Sequence, residues 1–313
     1  MERGRLNKIN QMHITFAGTP RFSKLVLKEL IKEGVSISSV VTREDKKKGR
    51  GQKLTPSPVK KEALENNIPV FYNLSEIIDK TDLVLVAGYG NIIDSETLKK
   101  PAHGFLNVHP SLLPKYRGPT PLQSAILSGD EETGVSIIVM DEKIDHGPIL
   151  IQEKMKINRA DYPELEKKTA IIGGRLLSKA IPTWVKGEME PTPQDHQSAT
   201  ETELLSKEDG EIDWSESAKK IERMVRAYKP WPGSYTYLRG KRLNIKKAEA
   251  RVQGSDHPSG PVGKTFLATN SEIAVQTGKD YLVIKRLQPE GKKEAEVSDF
   301  LRGNIDVIGE ILG

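Results

Sequence analysis

The chain has 313 residues, contains no cysteine and carries a formal net charge of +5. This length favours two domains, and the lack of cysteine excludes disulfides and thiolate metal sites. Residues 1–11 are polar and charged, so we expect a dispensable extension there rather than a signal peptide. Because no run of about 18 apolar residues occurs, we expect no membrane span and a cytoplasmic location. The small positive excess mildly favours a polyanionic partner.

The first elements predict a parallel α/β unit. An apolar strand over 13–18 ends in Gly, Thr19 is the expected N-cap of a helix with Pro20 at its first position, and a second apolar strand covers 35–41. No G-x-G-x-x-G motif accompanies the turn, so these residues predict no dinucleotide site. Residues 83–87 are wholly apolar, as expected for a strand buried on both faces. The predicted fold class is α/β, with a Rossmann-like, mostly parallel sheet in the first domain.

A Gly- and Lys-rich segment follows the second strand, over 43–53, and has six basic and two acidic residues. We predict a loop here. A run of this kind is commonly a mobile, solvated loop. The functional interpretation is a flexible arm that clamps phosphate groups and becomes ordered on binding. The residues alone leave both interpretations open.

Alternation over 104–109 predicts a short strand that carries Asn107 and His109 on one face. An Asn amide donates hydrogen bonds and an imidazole donates or takes a proton, so the pair could stabilise the oxyanion formed when a nucleophile attacks a carbonyl. Asp145, on the loop after a strand predicted at 133–140, is the candidate acid that pairs with the imidazole. Taken alone, an Asn-x-His pattern more often marks a strand end with two satisfied side chains.

The second half of the chain predicts a different architecture. A long helix over 162–186 contains Pro182, which implies a kink or an early end. A segment rich in Pro, Gln, Ser and Thr follows, and we interpret 188–208 as a linker between a catalytic domain over 12–187 and a second domain. About five short strands with Gly-containing turns favour a small OB-like β-barrel over 209–313.

Positive charge is concentrated at the start of this second domain, where Ser215 is the expected N-cap of a helix. Between 219 and 251 there are eleven Lys or Arg residues and two acidic ones. Nucleic-acid contact is the preferred interpretation of this charge. Interleaved aromatic residues are interpreted as core residues of the barrel, and they are Tyr228, Trp231, Tyr235 and Tyr237.

The longer context of the Asn-x-His pattern resembles the folate-dependent formyltransferases. It comprises Asn107-Val108-His109, Ser111-Leu112-Leu113-Pro114, Tyr116-Arg117-Gly118, Asp141 and Asp145-His146-Gly147. Further matching segments run almost to the C-terminus, at 16–20, 49–59, 87–90, 212–215 and 287–293. Pro110 departs from the Gly that many members have after the His, and it leaves the three catalytic positions intact.

The resemblance implies that a formyl group passes from 10-formyltetrahydrofolate to the α-amine of methionine carried by initiator tRNA. The implied catalytic residues are Asn107, His109 and Asp145. The implied folate-binding residues are Ala87, Gly88, Tyr89, Gly90, Ser111, Leu112, Leu113, Pro114 and Asp141. The predicted tRNA-binding residues are Arg43, Lys46, Lys47, Lys48, Arg50, Lys53, Lys219, Lys220, Arg223, Arg226, Lys246 and Lys247, with Arg50 the first choice.

Two other functions are alternatives. A formyltransferase could act on another amine, such as an amino sugar nucleotide or glycinamide ribonucleotide, but it would need neither the basic second domain nor the Arg50 loop. A catalytically silent RNA-binding protein would tolerate loss of the three catalytic residues. The six His residues show no ligand spacing, so no metal site is predicted, and only His146 borders the site. We expect a monomer, because nothing in the sequence demands an oligomer.

Overall fold

The computed structural model of the chain describes residues 12–48, 51–254, 260–269 and 271–313. The predicted extension over 1–11, and Gly49 and Arg50 of the basic segment, lie outside the described residues. The chain divides into two compact units. The first contains the residues up to Pro121, Glu131–Lys156 and Glu164–Glu203, and the second contains Leu122–Asp130, Ile157–Pro163 and Leu204–Gly313.

The first unit is built on a seven-stranded sheet. Its strands are β1 (Ile14–Gly18), β2 (Ser39–Val41), β5 (Val70–Phe71), β6 (Leu83–Ala87), β7 (Phe105–His109), β8 (Glu132–Val139) and β9 (Ile149–Lys156), and a hairpin outside the sheet adds β3 (Lys46–Lys48) and β4 (Lys53–Thr55). The strand order is β5-β2-β1-β6-β7-β8-β9. The first five strands in this order are parallel, and β8 pairs antiparallel with its two neighbours, β7 and β9. The predicted mostly parallel sheet is confirmed.

Helices cover this sheet because both faces of its central strands are apolar. They are α1 (Arg21–Lys32), α2 (Pro58–Glu65), α3 (Ser95–Leu98) and, from Glu164 onward, α5 (Tyr162–Val185). All five residues of β6 are buried. Apolar residues of α1, α2 and α5 pack with one set of strand residues in a large cluster, and a smaller cluster on alternate strand residues includes Val84 and Val86. Helix α5 continues through Pro182 and ends three residues later, at Val185.

The predicted N-cap of α1 was wrong. Pro20, not Thr19, occupies the N-cap position, and no side-chain hydrogen bond caps this helix. The hydroxyl of Thr19 lies 3.4 Å from that of Thr42, and its backbone N–H donates to the hydroxyl of Ser23. Thr19 therefore links β1 to neighbouring segments instead of capping the helix.

The basic segment predicted as a loop contains a short β-hairpin. Strands β3 and β4 pair antiparallel, with Lys46 opposite Thr55. The base of the hairpin is held because Lys60 of α2 forms an ion pair with Asp45 at 2.8 Å. The hydroxyl of Thr42 also lies 2.8 Å from that of Ser57, which caps α2. These contacts bring the two ends of the segment together, which favours strand pairing over an open loop.

The second unit contains α6 (Ala218–Ala227) and a six-stranded sheet. Its strands are β10 (Ser234–Leu238), β11 (Lys241–Arg251), β12 (Thr265–Thr269), β13 (Glu272–Gln276), β14 (Tyr281–Pro289) and β15 (Ala295–Glu296). The order is β10-β11-β14-β13-β12, with β15 beside β14, and these pairs are antiparallel. Helix α4 (Pro121–Ser128) also belongs to this unit from Leu122 onward, and α7 (Val297–Leu301) follows β15. The predicted β-rich second domain is confirmed, and its strands form an antiparallel sheet.

Two local predictions in the second unit were wrong. Ser217 caps α6 by accepting from the backbone N–H of Lys220, whereas the hydroxyl of Ser215 donates to Asp213. Of the aromatic residues predicted in the core, Tyr228 and Tyr235 are buried, but Trp231 is 51% exposed. The core instead takes Trp214, whose indole N–H donates to the hydroxyl of Thr236 at 3.0 Å.

Within the part of the chain that the structure describes, no helix is both long and apolar enough to cross a membrane.

Candidate active site

The end of strand β7 places Asn107 and His109 side by side. Both residues are buried, with 8% and 4% of their surface exposed. In the sheet register Asn107 pairs with Val86 on β6 and with Ile138 on β8, and His109 pairs with Ser136. Because the two residues are two positions apart on one strand, they share a face, as predicted. Buried polar side chains at this position need partners.

The partner is Asp145, from the loop between β8 and β9. Its Oδ1 accepts from Asn107 Nδ2 at 3.1 Å, and its Oδ2 lies 3.4 Å from His109 Nδ1. Oδ2 also accepts from the backbone N–H of Gly118 at 2.8 Å. The structure therefore brings together the three residues predicted as catalytic. Asp145 has a φ of +48°, a left-handed conformation that is uncommon for a residue with a Cβ and marks a constrained position.

The second ring nitrogen of His109 is also engaged. Nε2 lies 2.8 Å from the backbone carbonyl oxygen of Tyr116. A carbonyl oxygen only accepts, so Nε2 carries a proton and donates it. Nδ1 on the other side faces the carboxylate of Asp145. Both ring nitrogens of His109 therefore face an acceptor oxygen, and these two contacts orient the imidazole.

The loop after β7 is held in place by internal hydrogen bonds and by bonds to β8. Ser111 is fully buried, and its hydroxyl donates to the carbonyl oxygen of Lys115 at 2.6 Å. The hydroxyl of Ser136 donates to the carbonyl oxygen of Ser111 and accepts from the N–H of Leu113. Gly118 has a φ of +100°, and a Cβ there would lie 2.7 Å from the carbonyl oxygen of Thr202. These bonds fix the backbone that delivers the N–H of Gly118 to Asp145.

Sequence reasoning missed a second set of contacts, from the segment predicted as a linker. The structure places residues 188–203 in the first unit. Gln194 is buried, and its Nε2 donates to the carbonyl oxygens of Asp145 at 2.8 Å and of Gly147 at 2.7 Å. Its Oε1 accepts from Arg117 Nε and Nη2 at 3.2 and 2.7 Å. The Pro- and Gln-rich composition pointed to a linker, and no local pattern marked Gln194 as a contact of the site.

Two histidines continue this network. Arg117 Nη2 donates to His196 Nδ1 at 2.8 Å, and the ring of His196 stacks on that of His146 with centroids 4.0 Å apart. His146 Nδ1 lies 2.6 Å from Asp141 Oδ2. Desolvation, and then the charges of His146, Arg117 and Lys143, lower the pKa of His196. His146 therefore borders the site, as expected from its place beside Asp145.

A cavity of about 410 Å³ is lined in part by residues that flank Asp145 in the sequence. Its lining residues come from α3 and from the segment after β8, and they are Ser95, Leu98, Lys99, Met140, Asp141, Glu142, Lys143 and His146. Asp141 is the one member of this lining that was predicted to bind folate. His146 was expected to border the site, whereas Ser95, Leu98, Lys99 and Met140 went unrecognised, although Met140 stands directly before Asp141 at the end of a predicted strand.

The remaining predicted folate-binding residues lie at the end of β6 and in the loop after β7. Ala87 is buried, and its carbonyl oxygen accepts a hydrogen bond from the hydroxyl of Ser23. Gly88 and Gly90 both have positive φ values, which explains the glycines in this turn. Tyr89 packs against the same apolar cluster as Leu98 and Met140 of the cavity lining. The turn after β6 and the lining of the cavity therefore pack against the same apolar cluster.

The predicted tRNA-binding residues divide into exposed and internally bonded ones. Those with exposed side chains are Lys46, Lys47, Lys53, Lys219, Lys220 and Lys247, and Arg43 and Lys246 are half-buried. Lys220 forms an ion pair with Glu216. Arg50 and the side chain of Lys48 lie outside the described residues.

Arg223 and Arg226 are engaged inside the second unit. Arg223 donates to the carbonyl oxygens of Leu127 and Ser128 at the end of α4, where a cation suits the helix dipole. Arg226 bonds to Glu222 and to the carbonyl oxygen of Ala160, and only 17% of its side chain is exposed. These bonds give Arg223 and Arg226 a structural role inside the second unit.

Among residues 12–48, 51–254, 260–269 and 271–313, no three His, Asp or Glu side chains are grouped so as to hold a metal ion.

Comparison with known proteins identifies the family of the chain. The family described as Formyl transferase matches residues 12–181, and Formyl transferase, C-terminal domain, matches residues 204–304. A Chloroflexus aurantiacus protein named methionyl-tRNA formyltransferase is 42% identical over 305 residues, which cover 93% of this chain and 97% of that protein.

Solved structures show the same fold. WlaRD, a sugar 3N-formyl transferase crystallised with dTDP and 5-N-formyl-THF, has a TM-score of 0.65 at 22% identity and covers 90% of this chain and 99% of its own. HypX from Aquifex aeolicus, in complex with tetrahydrofolic acid, has a TM-score of 0.61 at 18% identity and covers 96% of this chain but 48% of its own. With both family matches and the paired Asn107, His109 and Asp145 in place, the chain belongs to the formyl transferase family.

Proposed function

We propose that this chain transfers the formyl group of 10-formyltetrahydrofolate to the α-amine of methionyl-initiator tRNA and so makes N-formylmethionyl-tRNA. The observation that carries the proposal is the carboxylate of Asp145, which contacts both Asn107 and His109. The name of the Chloroflexus relative, which matches along both domains, supports the choice of acceptor.

The cavity beside the Asp145 loop fits a folate donor. Its volume of about 410 Å³ lies within the ~300–1,000 Å³ range of small-molecule sites. Leu98 and Met140 offer apolar surface for a flat ring, and Asp141 offers a carboxylate that accepts from ring N–H or amino groups. When bound, the donor supplies an activated formyl group.

The chain's own residues would stabilise charge and move a proton. Asn107 uses one amide N–H on Asp145 and has a second N–H for the formyl oxygen. The ring of His109, held between Asp145 and the Tyr116 carbonyl oxygen, would add positive charge to the same site when it carries both protons. Asp145 would support His109 and accept, directly or through water, the proton that the attacking amine loses. That proton would pass to the nitrogen of the donor as its bond to the formyl carbon breaks, so tetrahydrofolate leaves as a neutral amine. A donor aimed at a developing oxyanion in this way lowers the barrier by about 3–4 kcal/mol.

Exposed lysines suit an RNA acceptor. Lys46, Lys47 and Lys53 stand on the hairpin, and Lys219, Lys220 and Lys247 stand on the second unit. Lysine ammonium groups contact phosphates in any sequence, so these residues would position the tRNA rather than identify it. Arg43, Lys246, Lys48 and Arg50 complete the proposed set.

The test is a formylation assay with purified protein, 10-formyltetrahydrofolate and methionine-charged initiator tRNA. Charged elongator tRNA, free methionine and an amino sugar nucleotide serve as alternative acceptors, and the His109→Ala variant is the negative control. Formyl-methionine on the initiator tRNA alone is the expected result. Formylation of the sugar amine instead would overturn the choice of acceptor, and folate binding without transfer to any acceptor would overturn the proposed reaction.

A further inference from the structure

Gln194 lies in the segment that precedes the second unit in sequence, yet it contacts the proposed catalytic loop at two points. Its Nε2 donates to the carbonyl oxygens of Asp145 and Gly147, at 2.8 and 2.7 Å. Only 6% of its surface is exposed. From this geometry we infer that Gln194 is a positioning residue that holds Asp145 in its working conformation. The inference rests on the proposed function, because it assigns Gln194 a task in that reaction.

Asp145 needs a support of this kind. Its φ of +48° is costly for a residue with a Cβ, and such a conformation persists only where the surroundings determine it. Its carboxylate must also satisfy Asn107, His109 and the N–H of Gly118 together. Those three partners fix the side chain. The bonds from Gln194 hold the backbone on both sides of His146, and so they fix the backbone position from which the Asp145 side chain extends.

The orientation of the Gln194 amide is itself determined. Arg117 has only donors, and its Nε and Nη2 both point at Gln194 Oε1. The NH₂ group must then face the two carbonyl oxygens. Arg117 adjoins Gly118, whose N–H binds the carboxylate of Asp145. These hydrogen bonds therefore close a ring from the Asp145 carboxylate through Gly118, Arg117 and Gln194 to the Asp145 carbonyl.

The closed ring predicts how an isosteric substitution acts. Gln194→Glu keeps the side-chain length and the acceptor for Arg117, but it replaces the NH₂ donor with an oxygen that faces two carbonyl oxygens. The loop at Asp145 would then shift away from Gln194. A misplacement of about 1 Å can cost about 100-fold in rate. We expect kcat to fall by about 10- to 100-fold, with KM for both substrates changed less than about threefold.

Thermal unfolding and the split between kcat and KM distinguish positioning from a general loss of structure. The Arg117 guanidinium can pair with a carboxylate at position 194, so Gln194→Glu should stay folded, with a lowered kcat and a nearly unchanged KM. A variant that was merely less stable would show a lowered midpoint of unfolding and would regain kcat at a lower assay temperature.

The experiment measures formylation of charged initiator tRNA by three full-length proteins: unsubstituted, Gln194→Glu and the control Gln197→Glu. Gln197 is exposed and three positions away, so its variant should keep the unsubstituted kcat and KM. Thermal unfolding of each protein checks the fold. If Gln194→Glu does not fold, Gln194→Asn replaces it, because the shorter amide cannot reach both carbonyls and the same loss of kcat is expected.

The outcomes separate this inference from the proposed function. If the unsubstituted protein does not formylate the tRNA, the proposed function fails. If it does, and Gln194→Glu has an unchanged kcat, the inference alone is overturned. A loss confined to KM, or a kcat that recovers fully at a lower assay temperature, would also overturn it.

Discussion

Asn107 and Asp145 are 38 positions apart in the chain, and their side chains meet at 3.1 Å between Nδ2 and Oδ1. A carboxylate only accepts, so this hydrogen bond orients the Asn107 amide with its NH₂ group toward Asp145. The second N–H of that group is left for a substrate oxygen. The same carboxylate reaches His109 through its other oxygen. One acidic group therefore orients both residues proposed to stabilise the developing charge.

Replacing Asn107 with Asp tests the donor. The variant keeps the shape of the side chain but removes both N–H groups and sets two carboxylates against each other. We expect kcat to fall by about 10²- to 10³-fold, the usual cost of losing an oxyanion donor. Steady-state formylation with separate titrations of folate and charged tRNA checks this. An effect on KM with an unchanged kcat would contradict the assignment.

His109→Ala should remove turnover and leave tRNA affinity largely intact. The side chain is 5% exposed and contacts Asp145 and the Tyr116 carbonyl, so its direct role lies in the site and not on a charged surface. Formylation rates measured beside equilibrium binding of charged initiator tRNA would separate the two effects. Equal losses of rate and affinity would show that His109 contributes chiefly to binding.

Neutralising exposed lysines of the hairpin should weaken tRNA binding in a salt-dependent way. For Lys46→Ala with Lys47→Ala, the slope of log K against log salt should become less steep by about 0.7–0.9 for each phosphate that the variant no longer neutralises. At saturating tRNA, kcat should stay close to that of the unsubstituted protein. Lys167→Ala with Lys168→Ala on α5, also exposed, is the matched control and should leave the slope unchanged. The same slope in both double variants would argue against the hairpin as a phosphate-binding element.

Glu272 provides a test of stability in the second unit. Its carboxylate accepts two hydrogen bonds from Arg251, at 2.9 and 3.1 Å, and also binds Lys285. The hydrogen bonds from Arg251 and then from Lys285 lower the pKa of Glu272 from 4.5 to about 2. Because the folded pKa lies below the unfolded one, the stabilisation is present above pH 4.5 and is lost as the pH falls toward 2.

We therefore expect Glu272→Gln to lower the free energy of unfolding at neutral pH by about 1–2 kcal/mol, a value below full conversion of the pKa shift because the side chain is partly exposed. The difference from the unsubstituted protein should shrink as the pH is lowered below 4.5. Calorimetric unfolding over that pH range measures it. Glu216→Gln breaks an exposed pair with Lys220 and should cost less than about 0.5 kcal/mol at any pH. A pH-independent difference for Glu272→Gln would contradict the ion-pair explanation.

Several features of this protein follow from its sequence alone. The alternation around β7 set Asn107 and His109 on one face, because the two-residue period of a strand depends only on neighbouring positions. The apolar run over 83–87 indicated a strand of a parallel sheet, because such a strand is buried on both faces. Asp145 was the candidate acid on the loop after the strand predicted at 133–140, and the resemblance to the folate-dependent formyltransferases implied its catalytic role.

Only the tertiary structure decided which distant groups meet. Gln194 reaches the Asp145 carbonyl across 49 positions, Arg223 caps α4 instead of facing outward, and the basic segment pairs as β3 and β4 because Lys60 and Ser57 hold its ends. Composition described each of these correctly as polar or basic but carried no information on the partner. Periodicity reports which face a side chain takes within one element. The path of the loops between elements decides what that face meets, and this path depends on packing and on backbone turns such as the left-handed one at Asp145.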